Sequence, residues 1–132
     1  MSNVSELSVN ELMVAATSRE LRDGELGFIG VGTAGRAFTV AVGIPMTAAR
    51  LAQETHAPNF TIFWNNLLSP DLDQIPPKLT QDYLTRWPTA FQPVCAEDKI
   101  GMLARGEFDV SFDSAPQIDR FGNLNITVIG DY

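Results

Sequence analysis

Three glycines and two asparagines have the residue types and spacing to do chemistry. Gly30, Gly32 and Gly35 form a G-x-G-x-x-G pattern directly behind the apolar run Leu26-Gly27-Phe28-Ile29. Glycines so spaced let a backbone turn tightly and bring bare N–H groups up to an anion, as at a dinucleotide pyrophosphate. Asn65 and Asn66 follow the aromatic, β-branched run Phe60-Thr61-Ile62-Phe63-Trp64. If that run is a strand of a parallel sheet, both carboxamides stand at its carboxyl end, where open α/β sheets bind ligands. The same pair also suits a plain turn after the strand.

Other candidates are weaker. His56, the single histidine, offers a general base, but at the end of a helical pattern it is expected to bond free carbonyls instead. No Ser-His-Asp or Cys-His set can be built around it, and one His with one Cys makes no metal site. Cys95 has no cationic neighbour in the sequence and reads as an ordinary thiol. Asp113, Gln117, Asp119 and Arg120 flank a strand end and a turn. Gln117 and Asp119 either line the same crevice as Asn65 or cap and solvate the turn. A dinucleotide site needs a helix opening at Gly35 and an acid about 20 residues beyond, for which Glu54 is the candidate. Gly43 and Pro45 are expected to stop that helix after about two turns of poor helix formers, which disfavours that reading.

These residues need a frame. Ser8 and Glu11 read as a capping box opening a helix over residues 9–22, with Leu12, Ala15 and Ala16 inward and Asp23-Gly24 as its stop. Residues 26–31 read as a buried strand. Residues 37–42, apolar and β-branched, fit a strand or a short helix, and Gly43-Ile44-Pro45 is expected to end either. Pro45 then suits the first position of a helix over residues 46–53, with Ala48, Leu51 and Ala52 on one face. Residues 60–64 are the clearest buried strand. From 69 to 93 five prolines mark a long excursion with a short helix near 80–86. Tyr83 and Trp87 either anchor it to a neighbour or pack on their own domain. A helix over 98–105 follows, capped by Asp98 and Gly106, with Ile100, Leu103 and Ala104 inward. A strand over 108–112, a turn at 121–124 and a strand over 125–129 complete the series. Helices alternating with apolar strands predict one α/β domain over residues 1–132, an open, mostly parallel sheet with flanking helices. The last strand is expected to be covered by a partner or a further segment.

The bulk numbers exclude several classes. The 132 residues and their 45% hydrophobic share suffice for one core. Nine Lys and Arg against sixteen Asp and Glu leave a net charge of -7, a field that repels nucleic acid. A nucleotide or CoA ligand is itself a polyanion, so it must find local positive charge or a partner chain. No run approaches the roughly 20 apolar residues of a membrane span. The opening Met1-Ser2-Asn3-Val4-Ser5-Glu6 lacks the basic and apolar parts of a secretory signal. A cytoplasmic protein is expected, and a single cysteine leaves no internal disulfide.

Several stretches resemble one known family. They are Glu11-Leu12-Met13-Val14-Ala15-Ala16, Arg19 to Glu25, Gly43-Ile44-Pro45-Met46, Ala48 to Ala52 and Thr55-His56-Ala57-Pro58-Asn59. Most specific is Gln117-Ile118-Asp119-Arg120-Phe121-Gly122-Asn123-Leu124-Asn125, with Thr127-Val128-Ile129-Gly130 behind it. Together, across nearly the whole chain, they resemble the N-terminal part of the β subunit of family I CoA-transferases, the glutaconate CoA-transferase type. The resemblance implies a NagB-like open α/β fold, an α-subunit partner in a heterodimer or larger assembly, an acyl-CoA thioester as substrate and no separate cofactor. The chain departs from the family in three ways. The family's nucleophilic glutamate follows the strand behind His-Ala-Pro-Asn, and that position here is Asn65, whose amide is no nucleophile. Residues 33–42 look like an insertion, and the chain has about half a family subunit's length. The implied function is therefore a β subunit that has left glutamate-mediated transfer for decarboxylation, C–C cleavage or hydrolysis, as some relatives in the superfamily do. Alternatives are a non-catalytic subunit completing an α subunit's site, or a dinucleotide-binding domain through Gly30, Gly32 and Gly35. The implied acyl-CoA contacts are Gly30, Gly32, Gly35, Arg36, Asn66, Gln117 and Asp119, with Asn65 as the catalytic candidate. Arg36, inside the insertion, would set a positive charge against an anionic acyl group.

Overall fold

The computed structural model describes residues 7–30, 35–78, 86–88 and 96–130. Helix α1 spans Val9–Glu20 and opens on a complete capping box. The Ser8 hydroxyl accepts from the Glu11 N–H at 3.3 Å, and the Ser8 N–H donates to the Glu11 carboxylate at 2.7 Å. The helix ends two residues before the expected stop because Leu21 turns to extended backbone (φ -86°, ψ 136°) and buries its side chain. Its inward face also differs from the expected one. Leu12 and Ala16 are exposed, and the buried position is Ser18. α1 packs on a later helix, α3 (Ile44–Thr55), whose Ala48, Ala49 and Ala52 have no exposed surface. The three alanines of α3 permit a close approach.

Strand β1 (Leu26–Ile29) leads into a helical crossover that runs past the stop expected at Gly43-Ile44-Pro45. Helix α2 (Gly35–Phe38), a π-helical turn over Thr39–Gly43 and α3 run on as one segment, with right-handed helical dihedrals at Phe38, Gly43 and Ile44. Residues 37–42 are thus helical, and Gly43-Ile44-Pro45 does not end them. In a regular helix the Pro45 ring would collide with the carbonyl four residues back, and its absent N–H would leave that carbonyl unpaired. The π-turn widens the ladder at that place. The Ile44 N–H reaches back five residues to the Thr39 carbonyl, and the helix accommodates its proline.

The crossover delivers the chain to β2 (Thr61–Trp64), parallel to β1 in the register Leu26 to Thr61 through Ile29 to Trp64. A short strand β3 (Leu67–Leu68) turns back antiparallel on β2. On the other side of β1 lies β4 (Val110–Phe112), again parallel. The sheet order is β3-β2-β1-β4, open and mostly parallel as expected, with β3 as an addition. Two further strands, β5 (Gln117–Ile118) and β6 (Leu124–Asn125), form a separate antiparallel pair. Alternation along β2 sends Ile62 and Trp64 into the main core with Met46, Ala49 and Ala52 of α3. Phe63 points to the opposite face, where its ring meets Phe28 and Phe108 at centroid distances of 6.2 and 5.6 Å. Trp87 packs edge-on against Trp64 at 6.4 Å, and its indole N–H donates to the Asp71 carbonyl at 2.7 Å. It therefore packs on its own chain. Tyr83, Cys95 and the helix expected near 80–86 lie largely or wholly outside the described residues.

The C-terminal third breaks several expectations. Helix α4 spans Ala96–Ala104, so Asp98 sits in its first turn instead of capping it. Ile100 and Leu103, expected inward, are exposed. Gly106 is left-handed (φ +66°), and the Glu107 N–H closes on the Met102 carbonyl at 3.0 Å, as expected of a glycine-terminated helix. Of the strand expected over 125–129 only Asn125 is paired, and Ile126, Val128 and Ile129 are exposed. A β-branched run becomes a strand only where a neighbour accepts from its N–H groups and donates to its C=O groups, and β5 offers two residues. No residue from 97 to 130 is buried, and among the described residues the buried hydrophobics lie between Leu21 and Trp87.

One tie between loops predicts a response to acid. The Asp23 carboxylate accepts from the Asn59 backbone N–H at 2.6 Å and from its side-chain amide at 3.0 Å, joining the α1–β1 turn to the approach to β2. The Asn59 hydrogen bonds hold the Asp23 carboxyl below its ordinary range. A depressed folded-state pKa gives stability that is whole above the unfolded value of about 3.9 and is lost as pH falls through the folded one. Wild type should therefore melt higher than Asp23→Ala at pH 7, with the gap closing below about pH 4. A gap that persists unchanged to pH 2 would assign it to packing instead.

Candidate functional site

Parallel pairing sets the carboxyl ends of β1, β2 and β4 on one edge of the sheet. Ile29 is in register with Trp64 on one side and Phe112 on the other. The residues that follow, Asn65, Gly30 and Asp113, therefore stand abreast at strand spacings of about 5 Å. From β1 the chain crosses to β2 on one side, while β4 lies on the other. The strand order reverses between β1 and β4, and at such a point an open α/β sheet leaves a crevice beyond its carboxyl ends.

Gly30 has a packing reason to be glycine. Its N–H donates to the Phe112 carbonyl at 3.3 Å, and a Cβ added there would lie 3.1 Å from that oxygen. Gly32 lies outside the described residues. Gly35 has φ +57° and opens α2. A helix does begin where a dinucleotide site needs one, but the acid does not follow. Glu54 stands at the far end of the crossover, roughly 30 Å of helix away, paired with Arg50 at 2.8 Å.

Asn65 and Asn66 make the two-residue turn of the β2–β3 hairpin. Trp64 pairs with Leu67, and the two asparagines have φ of +46° and +65°. Positive φ at both central positions is the type I′ pattern, which asparagine tolerates better than other side-chain-bearing residues. The signal is present in the sequence: Asn-Asn between Trp64 and Leu67-Leu68 is a hairpin spacing. The turn alone accounts for asparagine at both positions. Both residues are half-buried, and neither carboxamide has a partner among the described residues.

Arg36 lines a cavity of about 490 Å³ at the reversal point. Ala37 and Val40 join it from the start of the crossover, and Ser114, Ala115 and Pro116 from the segment behind β4. Asp113 does not line this cavity; its carboxylate accepts from the Ser111 hydroxyl at 2.9 Å. Residues 114–116 were not among the expected site residues, although Ala115 and Pro116 directly precede Gln117 in the stretch that most resembles the CoA-transferase β subunits.

Gln117 and Asp119 belong to the β5–β6 hairpin and line a second cavity of about 640 Å³, and Pro116 lines both. Gln117 accepts from the Asn125 side chain at 2.8 Å. The Asp119 carboxylate accepts from the Asn123 side chain at 2.8 Å and from the N–H groups of Asn123 at 3.0 Å and Phe121 at 2.8 Å. These bonds hold its carboxyl below the ordinary range. Asp119 thus organises its own turn, and Arg120 lies over the Phe121 ring at 4.7 Å. His56 stands at the end of α3, where Nε2 is 3.0 Å from the Leu21 carbonyl and Nδ1 is 2.9 Å from the Thr55 hydroxyl. A carbonyl only accepts, so Nε2 carries a proton and the ring ties α3 to the end of α1. Among the described residues no three His, Cys, Asp or Glu side chains are grouped to hold a metal ion. Nor is any helix among them long and apolar enough to cross a membrane.

The structure superposes on the glutaconate coenzyme A-transferase of Acidaminococcus fermentans with a TM-score of 0.65 and 19% identity, over 97% of this chain and 46% of that one. The fold is that of the CoA-transferases. The structure also superposes on the decarboxylase AibA/AibB, with a TM-score of 0.70 and 24% identity over 95% of this chain and 48% of that one. In sequence the chain is homologous to the β subunit of a 3-oxoadipate CoA-transferase from Pseudomonas knackmussii. The two are 32% identical over 130 residues, which is 98% of this chain and 45% of the relative. No protein-family model matches the chain. It spans about half the length of the relatives it matches.

Proposed function

We propose that this chain is a β-type subunit of the CoA-transferase family that acts, with an α subunit, on an acyl-CoA thioester by chemistry other than glutamate-mediated transfer. Decarboxylation, C–C cleavage and hydrolysis are the reactions in view. The observation that carries the reading is Asn65, a half-buried carboxamide without a partner among the described residues, at the carboxyl end of β2. Homology to a CoA-transferase β subunit along 98% of the chain supports the substrate class and the partner. The likeness to a decarboxylase supports the change of reaction. A carboxamide cannot form the acyl anhydride and glutamyl thioester through which a carboxylate nucleophile works. Its N–H can donate to an enolate or oxyanion.

A second reading is favoured by one observation, the type I′ turn. It explains Asn65 and Asn66 with no chemistry and leaves room for a non-catalytic subunit that completes its partner's site.

The test begins with the complex as it co-purifies. Incubation with acyl-CoA thioesters and then borohydride, followed by mass spectrometry of this chain, should give no covalent CoA adduct, while the complex consumes a thioester. An adduct on this chain would overturn the claim that transfer chemistry has been lost. Calorimetry with CoA and NAD completes the test. CoA should bind, and binding of NAD without CoA would restore the dinucleotide alternative.

A further inference from the structure

We infer that Asp113 is a catalytic base, which takes a proton from water as that water attacks a thioester carbonyl bonded to Asn65, so that the reaction is hydrolysis. The inference rests on the acyl-CoA reading and selects one of its three reactions. Register places the parts. Ile29, Trp64 and Phe112 end β1, β2 and β4 side by side, and Gly30, Asn65 and Asp113 follow them in one row at the carboxyl edge. Ile29 and Phe112 pack in or against the main core, and alternation turns Gly30 and Asp113 to the opposite face.

The Asp113 carboxylate is fixed at one oxygen and free at the other. The Ser111 hydroxyl donates to Oδ2 at 2.9 Å, a bond within one strand that joins no second segment. Oδ1 has no hydrogen bond among the described residues. It lies 3.7 Å from the place of a Cβ on Gly30, so the carboxylate leans from β4 over the central strand. Other aspartates do structural work. Asp23 ties two loops through Asn59, Asp109 accepts from the Leu26 N–H at 2.8 Å, and Asp71 and Asp119 close their own turns. Asp113 is exposed and open to water.

Gly30 has no side chain, so β1 leaves the row between Asn65 and Asp113 empty. Two strand spacings separate those residues, about 10 Å between backbones. Side chains entering from both sides leave room for a carbonyl group and one water. The carboxylate takes one proton as the water oxygen bonds the carbonyl carbon. The carbonyl electron pair moves to its oxygen, which accepts from the Asn65 amide. Collapse re-forms the C=O bond and breaks the C–S bond. The sulfur leaves with that electron pair and takes the proton from Asp113, giving a free acid, CoA and the original carboxylate. Decarboxylation needs only the donor to an enolate, and a carboxylate beside it would oppose the developing negative charge.

The experiment incubates the purified complex with adipyl-CoA and with hexanoyl-CoA in water enriched in oxygen-18. Wild type should release CoA and a free acid carrying one heavy oxygen. Asp113→Asn should lower kcat by about 10²–10⁴-fold with CoA binding and melting temperature unchanged. Asp113→Ala should be as slow, and added formate should restore part of its turnover by supplying a carboxylate in the vacated place. Unchanged turnover in Asp113→Asn, products without the heavy oxygen, or no consumption of either thioester by a complex that binds CoA would overturn the base and leave the acyl-CoA reading intact. Failure to bind CoA or either thioester would overturn both.

Discussion

Asn65→Gly is expected to lower acyl-CoA turnover by about 10²–10³-fold while leaving the melting temperature of the chain unchanged. The design follows from the backbone. Asn65 has φ +46° in a two-residue hairpin turn, a conformation that glycine adopts without strain. The substitution therefore deletes the carboxamide and keeps the turn, which separates the two roles the residue could play. Asn65→Ala would not separate them, because a Cβ at positive φ costs roughly 1–2 kcal/mol and would disturb the turn as the amide is lost. Asn65→Glu combines that strain with a new charge, and glutamate-mediated transfer is not expected to return from one substitution. If the carboxamide only shapes the turn, Asn65→Gly retains full turnover. That outcome would select the non-catalytic subunit and remove the observation on which the proposed chemistry rests.

How legible this was from sequence depends on the range of the interaction involved. Capping, strand composition and helix-terminating glycines are local, and they placed Ser8, the β1 and β2 runs and Gly106 correctly. Pro45 stands in the first turn of α3 as expected, but the stop expected at Gly43-Ile44-Pro45 failed because a π-turn over Thr39–Gly43 carries the helix into that proline. Leu12 misled because the face of α1 that meets α3 is set by tertiary packing and not by the apolar spacing within α1. The exposed positions of Ile100, Leu103 and Ile126 follow the same logic. Each is apolar at a spacing that suits burial, and none has an element among the described residues that covers it. The places of Asn65 and Gly30 directly behind β2 and β1 were legible because strand ends can be read from composition. The Arg36 cavity was not, since it joins residues 36–40 to residues 114–116 across a strand order that no local pattern records.

Phe60→Ala is expected to cost about 3–5 kcal/mol, a large share of the roughly 5–15 kcal/mol that holds a typical domain together. Phe60 is fully buried at the entry to β2, and its Cζ faces Gly27 in β1. A Cβ at Gly27 would sit 2.8 Å from that atom, 3.3 Å from the Phe112 ring and 3.4 Å from Val110. Gly27 is therefore the gap into which the Phe60 ring fits, at the central strand of the sheet. Gly27→Ala should cost about 1–3 kcal/mol by overpacking, since a ring with no exposed surface has nowhere to swing. The two losses come from one contact and should not add. In the double variant the new methyl enters space vacated by the ring, so urea unfolding should show a loss smaller than the sum by about 1 kcal/mol. Strict additivity would mean that Gly27 and Phe60 act through different neighbours. The glycine in β1 would then owe its identity to Phe112 and Val110 on β4, the strand that borders the Arg36 cavity.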